Sequence, residues 1–185
     1  MGKNIMLLNG PSGSGKSTMA RALQKLIEEK RHERYEIVSI DDFLEMSADS
    51  PIYEDDVFEI SGEMCEKASE LLKTAPGVVI DHVITSERIF LQLREMLRQY
   101  PLFSVHVTCS LEELRKRESA RGDRCPGSAE ASYEYLYPQD GYDLTVDTHV
   151  MTPVECAEKI LRVNAVPGPY LSEGSAAAQK GDENL

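Results

Sequence analysis

Apolar residues recur in short continuous runs, separated by longer stretches with helical spacing. Residues 5–8, 35–40, 77–80, 103–109 and 144–146 read as strands. Near-continuous hydrophobic runs of this length mark strands buried on both faces. Between them, Met19, Ala22, Leu23, Leu26 and Ile27 fall on one face of a helix over 18–33. Further helical patterns cover 60–73, 87–99, 111–121 and 153–163. Ser110 with Glu113 three residues on reads as a capping box, and Thr152-Pro153 as an N-cap followed by proline at the first helical position. Alternating strands and helices predict a parallel five-stranded sheet in a three-layer α/β/α sandwich. Such sheets bind ligands beyond the carboxyl ends of their strands. Four polar groups stand at those ends: the glycine-rich run 10–17, Asp41-Asp42, Asp81-His82 and Asp147-Thr148.

The length of 185 residues suits one domain, expected over 1–165. Residues 166–185 are rich in Gly, Ala, Ser, Pro and charge without apolar period, and read as a flexible tail. The net charge of −12 argues against a nucleic-acid surface, which needs a basic face. No apolar run is long enough to span a bilayer, and the N-terminus runs straight into the first strand without a secretory pattern. A cytoplasmic protein is therefore expected; its self-association is left open. The four cysteines, Cys65, Cys109, Cys125 and Cys156, have no metal-ligand spacing and read as reduced thiols.

The run Gly10-Pro11-Ser12-Gly13-Ser14-Gly15-Lys16-Ser17 changes the picture from fold to chemistry. It fits G-x-x-x-x-G-K-[ST], the phosphate-binding P-loop, and it has the strand before it and the helix after it that the motif requires. Glycines let the backbone curl so that N–H groups face a polyphosphate. Lys16 can reach the β- and γ-phosphates, the Ser17 hydroxyl can hold Mg²⁺, and Thr18 completes the nucleotide-binding turn. The guanine-reading N-K-x-D and the γ-phosphate-sensing D-x-x-G are both missing, and the chain is too short for the subdomains of large ATPases. A small kinase using ATP and Mg²⁺ remains, built as a nucleotide-kinase-like P-loop fold.

Kinase chemistry needs a group to orient the acceptor hydroxyl and cations to hold the phosphoryl charge. Asp41, at the end of the second strand, is the expected base, with Asp42 as the alternative and as an acceptor contact. Asp81 closes a Walker-B-like strand and is expected to serve either Mg²⁺ or the acceptor. Arg121 and Arg124 flank the helix-breaking Gly122 in a lid expected over 119–135, where they would close on ATP and stabilise the transferred group. Arg117, on the same helix, is expected on the nucleotide; Arg115 and Lys116 read as a solvated face paired with nearby glutamates. His149 reads as a surface residue.

Residues 41–66 carry many carboxylates, among them Asp49, Glu54, Asp55, Asp56 and Glu59, but no Lys or Arg. Nucleotide acceptors need arginines for their phosphate. A neutral or cationic small molecule is therefore expected, unless Arg88 or Arg94 reaches in. Phe43, Tyr53 and His82 join Asp42 and Asp81 as its expected contacts, with Leu44, Met46 and Phe58 as further apolar lining or ordinary core.

The chain resembles the chloramphenicol phosphotransferase-like proteins, small P-loop kinases similar in build to shikimate and adenylylsulfate kinases. The likeness runs over 5–163. It includes Asn9-Gly10 with the P-loop, the acidic end of the second strand and the strand ending in Asp81. It is most specific at Ser119-Ala120-Arg121-Gly122-Asp123-Arg124, then Gly127 and Ala129. It continues through Tyr142-Asp143, Val146-Asp147-Thr148 and Glu155-Cys156-Ala157. The resemblance implies ATP-dependent phosphorylation of a small-molecule hydroxyl with Mg²⁺, antibiotic modification being one form of it, and maps the catalytic aspartate onto Asp41. At the Asp41-Asp42-Phe43 corner and at Asp81-His82 the second residues, Asp42 and His82, depart from the chloramphenicol enzyme's pattern, and 47–59 shows little likeness. A nucleoside, nucleotide or other metabolite kinase, and a non-catalytic ATP-binding regulatory module, stand as alternatives.

Overall fold

The computed structural model describes residues 3–44, 53–121 and 126–165. Five strands form a single sheet: β1 (Asn4–Asn9), β2 (Glu36–Ser39), β3 (Gly77–His82), β4 (Leu102–Thr108) and β5 (Leu144–Asp147). Their spatial order is β2-β3-β1-β4-β5, and every neighbouring pair is parallel. From β1 the chain runs to the edge position as β2, returns beside β1 as β3, then crosses to the other side for β4 and β5. That reversal opens a crevice at the carboxyl end of β1, where the glycine loop begins.

The described residues form six α-helices, α1 (Lys16–Arg31), α2 (Glu54–Leu71), α3 (Glu87–Met96), α4 (Leu111–Arg121), α5 (Ser128–Glu134) and α6 (Pro153–Asn164), of which α1, α6, α2 and α3 cover the sheet. Strand alternation splits the core in two. Met6, Leu8, Val79, Val105 and Val107 pack with Met19, Leu23 and Ile27 of α1 and Ile160 of α6. Ile5, Leu7, Val78 and Ile80 pack with Met64 and Ala68 of α2 and Ile89 and Leu93 of α3. Successive strand residues point to opposite faces, so each face meets its own pair of helices. The three-layer sandwich read from the sequence is the observed fold.

Two elements differ from expectation. Helix α2 begins at Glu54, not near residue 60, so Glu54, Asp55 and Asp56 form its first turn. Carboxylates are favoured there by the helix dipole, and Asp56 accepts a hydrogen bond from the Tyr53 amide at 3.1 Å. These charges hid the helix start because they carry no apolar period. Helix α5 lies inside the segment read as a lid, and was hidden for the same reason: among its seven residues only Ala129 and Ser132 are buried. The capping signals hold at α6, where Thr152 and Glu155 make a complete box with Pro153 at the helix start. At α4 the Ser110 hydroxyl accepts the Glu113 amide at 3.4 Å, but the Glu113 carboxylate turns to Arg117 instead.

Among the described residues, Cys65, Cys109 and Cys156 are buried free thiols. No helix among the described residues is long and apolar enough to cross a membrane.

Candidate active site

The glycine loop leaves β1 under tight backbone constraint. A Cβ at Gly10 would stand 2.1 Å from the Val107 carbonyl of β4, so any side chain there must displace the sheet. Gly15, at the N-cap of α1, has φ 86°, a left-handed conformation that side chains resist. The loop therefore needs its glycines to bring backbone amides to the start of α1, where the helix dipole favours an anion.

Lys16 is 6% exposed, and its ammonium curls over the loop to donate to the Pro11 carbonyl at 2.9 Å and the Ser14 hydroxyl at 3.5 Å. Next to it, the Ser17 hydroxyl donates to Asp81 Oδ2 at 2.6 Å. Ser39, at the end of β2, donates to the same oxygen at 3.3 Å. Asp81 lies within β3, opposite Ser39 and Leu8 in register, and is 2% exposed. This buried carboxylate faces hydroxyls, and among the described residues no Lys or Arg pairs with it within ion-pair distance. A hydroxyl and a carboxylate in contact beside a phosphate loop fit Mg²⁺. That ion takes one or two protein oxygens and fills its shell with water and substrate phosphates.

Two residues beyond Ser39, Asp41 and Asp42 sit exposed on a single 3₁₀ turn, Ile40–Asp42, which carries the chain off the end of β2. Phe43 follows, half-buried against the α2–α3 core. The turn stands at the carboxyl edge of the sheet, as does the Ser39–Asp81–Ser17 chain of hydrogen bonds.

His82 points to the other face of the sheet from Asp81. It is fully buried, with Nε2 2.7 Å from the Ser61 hydroxyl of α2. Ser61 in turn donates to the Val57 carbonyl at 2.6 Å. Burial, with the Lys16 charge nearby, lowers the His82 pKa to about 4 and keeps the ring neutral. His82, expected as an acceptor contact, is instead enclosed between β3 and α2 and ties the two together.

The remaining expected residues are less gathered. Arg117 does reach the loop: its guanidinium donates to the Gly13 carbonyl at 3.3 Å, the Thr148 hydroxyl at 3.3 Å and the Thr148 carbonyl at 3.1 Å. Arg121 is exposed at the end of α4. Arg124, Met46 and Asp49 lie outside the described residues. Tyr53 is 67% exposed at the start of α2. Lys116 pairs with Glu112 at 2.9 Å as expected of a solvated face, but Arg115 pairs with Glu130 of α5 at 2.6 Å. His149 is exposed, with Nδ1 3.3 Å from the Ser110 hydroxyl.

Three groups take roles that the sequence did not assign to them. Arg88 lies 3.8 Å from the Phe58 ring centroid and pairs with Asp55 at 2.6 Å, bridging α3 to α2. Thr148 donates to the Ser14 carbonyl at 2.7 Å, bracing the loop from the β5 side. Asn9, fully buried, closes a ring of bonds. Its Oδ1 accepts the Ile84 amide at 2.9 Å and its Nδ2 donates to the Tyr137 carbonyl at 2.8 Å. The Tyr137 amide donates back to the Ile84 carbonyl at 2.9 Å. Asn9 Nδ2 also donates to the Tyr142 hydroxyl at 2.8 Å. A polar residue ending an otherwise apolar strand, directly before the glycine loop, was the one available signal.

Burial pushes the Tyr142 phenol up to about 12. The neutral phenol is the form the fold holds, so the unfolded chain releases its proton first, above about pH 10. Stability from this group is complete below pH 10 and is lost as pH rises towards 12. Tyr142→Phe should flatten the stability profile across that interval by about one proton, roughly 1.4 kcal/mol per pH unit. Denaturant midpoints at stepped pH measure it; identical slopes in both proteins would contradict the buried phenol.

A glycine loop after the central strand, a Walker-B-like aspartate on the loop's serine and the strand order β2-β3-β1-β4-β5 define a P-loop protein with the kinase fold. Solved structures agree. APS kinase from Mycobacterium tuberculosis, in complex with AMPPNP and APS, superposes with TM-score 0.69 at 17% identity, over 89% of this chain and 98% of that one. A gluconokinase from Sinorhizobium meliloti gives TM-score 0.67 at 23% identity, over 88% and 91%. Shikimate kinase from Acinetobacter baumannii in complex with shikimate gives 0.61 at 20%, over 88% and 93%. No functionally curated protein matches the sequence. The chain belongs to the chloramphenicol phosphotransferase-like protein family, whose model matches residues 3–164.

Proposed function

We propose that the protein is an ATP-dependent phosphotransferase that moves the γ-phosphoryl group to a hydroxyl of a small neutral or cationic molecule. The observation that carries this reading is the Ser17–Asp81 contact at 2.6 Å on the glycine loop, with Asp41 on the turn two residues past Ser39. A module that merely binds ATP needs no acidic turn beside that contact.

In this reading the loop amides and Lys16 hold the β- and γ-phosphates. Ser17 and Asp81 would hold Mg²⁺, which supplies charge neutralisation on the phosphates. The acceptor oxygen forms a new bond to the γ-phosphorus as the bond to the β–γ bridging oxygen breaks. The hydroxyl proton passes to the Asp41 carboxylate and then to solvent, and ADP leaves with the electron pair of the broken bond. The transition state is loose, so Asp41 acts more by orienting the hydroxyl than by pulling its proton early. Lys16, and Arg121 and Arg124 from a closing lid, stabilise the phosphoryl oxygens.

In this reading the acceptor side is formed by the acidic turn, Phe43 and the half-buried Phe58, Phe90 and Tyr137, while His82 lies enclosed against α2. Arg88 is paired with Asp55 at 2.6 Å, and Arg94, 5.9 Å from the Phe90 ring centroid, is outnumbered by Asp41, Asp42 and the carboxylates of the first turn of α2. That favours an uncharged or cationic acceptor over a phosphorylated one. The test is ADP release across hydroxyl compounds matched in size but differing in charge, with chloramphenicol, nucleosides and nucleoside monophosphates among them. Turnover confined to neutral and cationic members supports the reading; the highest kcat/KM on a nucleoside monophosphate contradicts it.

A further inference from the structure

The outward side of the glycine loop is held by three side chains from three different elements. The Gly13 carbonyl takes Arg117 of α4, and the Ser14 carbonyl takes Thr148 after β5. The Ser12 amide is the third: it donates to the Ser132 hydroxyl of α5 at 2.9 Å. Ser132 is 8% exposed, and its own proton goes back into α5, to the Ser128 carbonyl at 2.6 Å, with the Ala129 carbonyl at 3.1 Å. Its oxygen is therefore left as an acceptor, aimed at the loop. Helix α5 is in turn fastened to α4. The Glu118 carboxylate accepts the Gly127 and Ala129 amides at 3.1 and 2.8 Å, and Arg115 pairs with Glu130 at 2.6 Å.

We propose that Ser132 is a positioning residue of the nucleotide site: by holding the Ser12 amide outward, it fixes the entry of the glycine loop so that the following amides turn inward to the phosphates. The inference rests on the nucleotide-binding reading above. Backbone geometry supports it. Between Ser12 and α1 the loop passes through left-handed Gly13 and Gly15, which have φ 80° and 86° and give it no stiffness of their own. A loop built on permissive residues keeps one shape only if its outward polar groups are tied, and pre-shaping a binding loop raises affinity by lowering the ordering cost. Ser12 is the position where that tie comes from the lid side of the molecule. The segment bearing Ser132 runs on to Tyr137 and Tyr142, which Asn9 holds immediately before the loop. One stretch of chain thus grips the loop at its root and at its third residue.

The experiment is MgATP binding by calorimetry on the full chain, with thermal midpoints in parallel. Ser132→Ala removes the acceptor and leaves a helix-compatible residue. Its MgATP Kd should rise about tenfold, the scale of an orphaned buried amide. Ser132→Thr, which keeps a hydroxyl at the same place, should bind within about threefold of wild type. Arg115→Ala loosens α5 from α4 without touching the loop. Its thermal midpoint should move little, because both partners of the pair are exposed, and its Kd should stay that of wild type. Ser132→Ala binding as tightly as wild type overturns the proposal. So does an equal loss in Arg115→Ala, which would make the effect one of general helix docking. Wild-type protein that binds no MgATP overturns the nucleotide reading itself, and this proposal with it.

Discussion

Lys16→Ala should lower kcat by roughly 10²–10³-fold and weaken MgATP binding, with little change in thermal midpoint. The ammonium is 6% exposed and lies over the loop on the Pro11 carbonyl and the Ser14 hydroxyl. Both of these groups are neutral oxygens. Its long stem lets it exchange them for phosphate oxygens, where a charge-assisted bond is about twice as strong. The gain is greatest where negative charge spreads over the transferred group, so the loss should fall more on kcat than on Kd. Alanine also removes a buried charge, which is why stability should not suffer. Steady-state kinetics with calorimetry separate the two effects, and a variant keeping most of its rate would remove Lys16 from the chemistry.

Asp41→Asn should lose turnover by roughly 10²–10⁴-fold while binding MgATP within about twofold of wild type. Asparagine preserves shape and removes only the proton-accepting charge. The residue stands on the turn after β2, not on the glycine loop, so the donor half of the site should be untouched. Asp42 on the same turn is the internal control. Asp42→Asn should change acceptor KM but retain the greater part of kcat. If Asp42→Asn is the inactive protein and Asp41→Asn is active, the base is the second carboxylate.

The donor half of this site was legible because its chemistry is local. Ten residues of sequence hold the strand end, the glycines and Lys16-Ser17, and the loop they form has few alternatives. Asp81 was legible as a residue but not as a contact. Whether it serves metal or acceptor depends on which face of β3 it takes, and the sheet register that turns it to Ser17 and His82 to Ser61 is long-range. The sheet itself followed from apolar runs, since each strand had to be buried on both faces.

What stayed hidden was carried by polar groups with no periodicity. The first turn of α2 consists of carboxylates that suit a helix dipole as well as they suit a cationic ligand, so composition could not separate the two. Helix α5 buries too little to show a pattern, yet Ser132 and the Glu118 cap join it to the loop and to α4. Arg117 was read as a nucleotide contact; in the structure its donors rest on Gly13 and Thr148, so it braces the loop from outside. Asn9 was visible only as part of a family likeness. Its three hydrogen bonds span 75, 128 and 133 residues of chain, and no local rule reaches that far.

Phosphoryl transfer itself is the most direct test of the account. Protein, Mg²⁺ and γ-labelled ATP are incubated with pooled small-molecule metabolites and neutral or cationic hydroxyl compounds, and the products are followed by phosphorus NMR and label transfer. The account predicts a new phosphate monoester formed in step with ADP, dependent on Mg²⁺ and missing in Lys16→Ala and Asp41→Asn. Tight MgATP binding with no labelled product from any acceptor would contradict it, and would make the protein a nucleotide-binding module instead of a kinase.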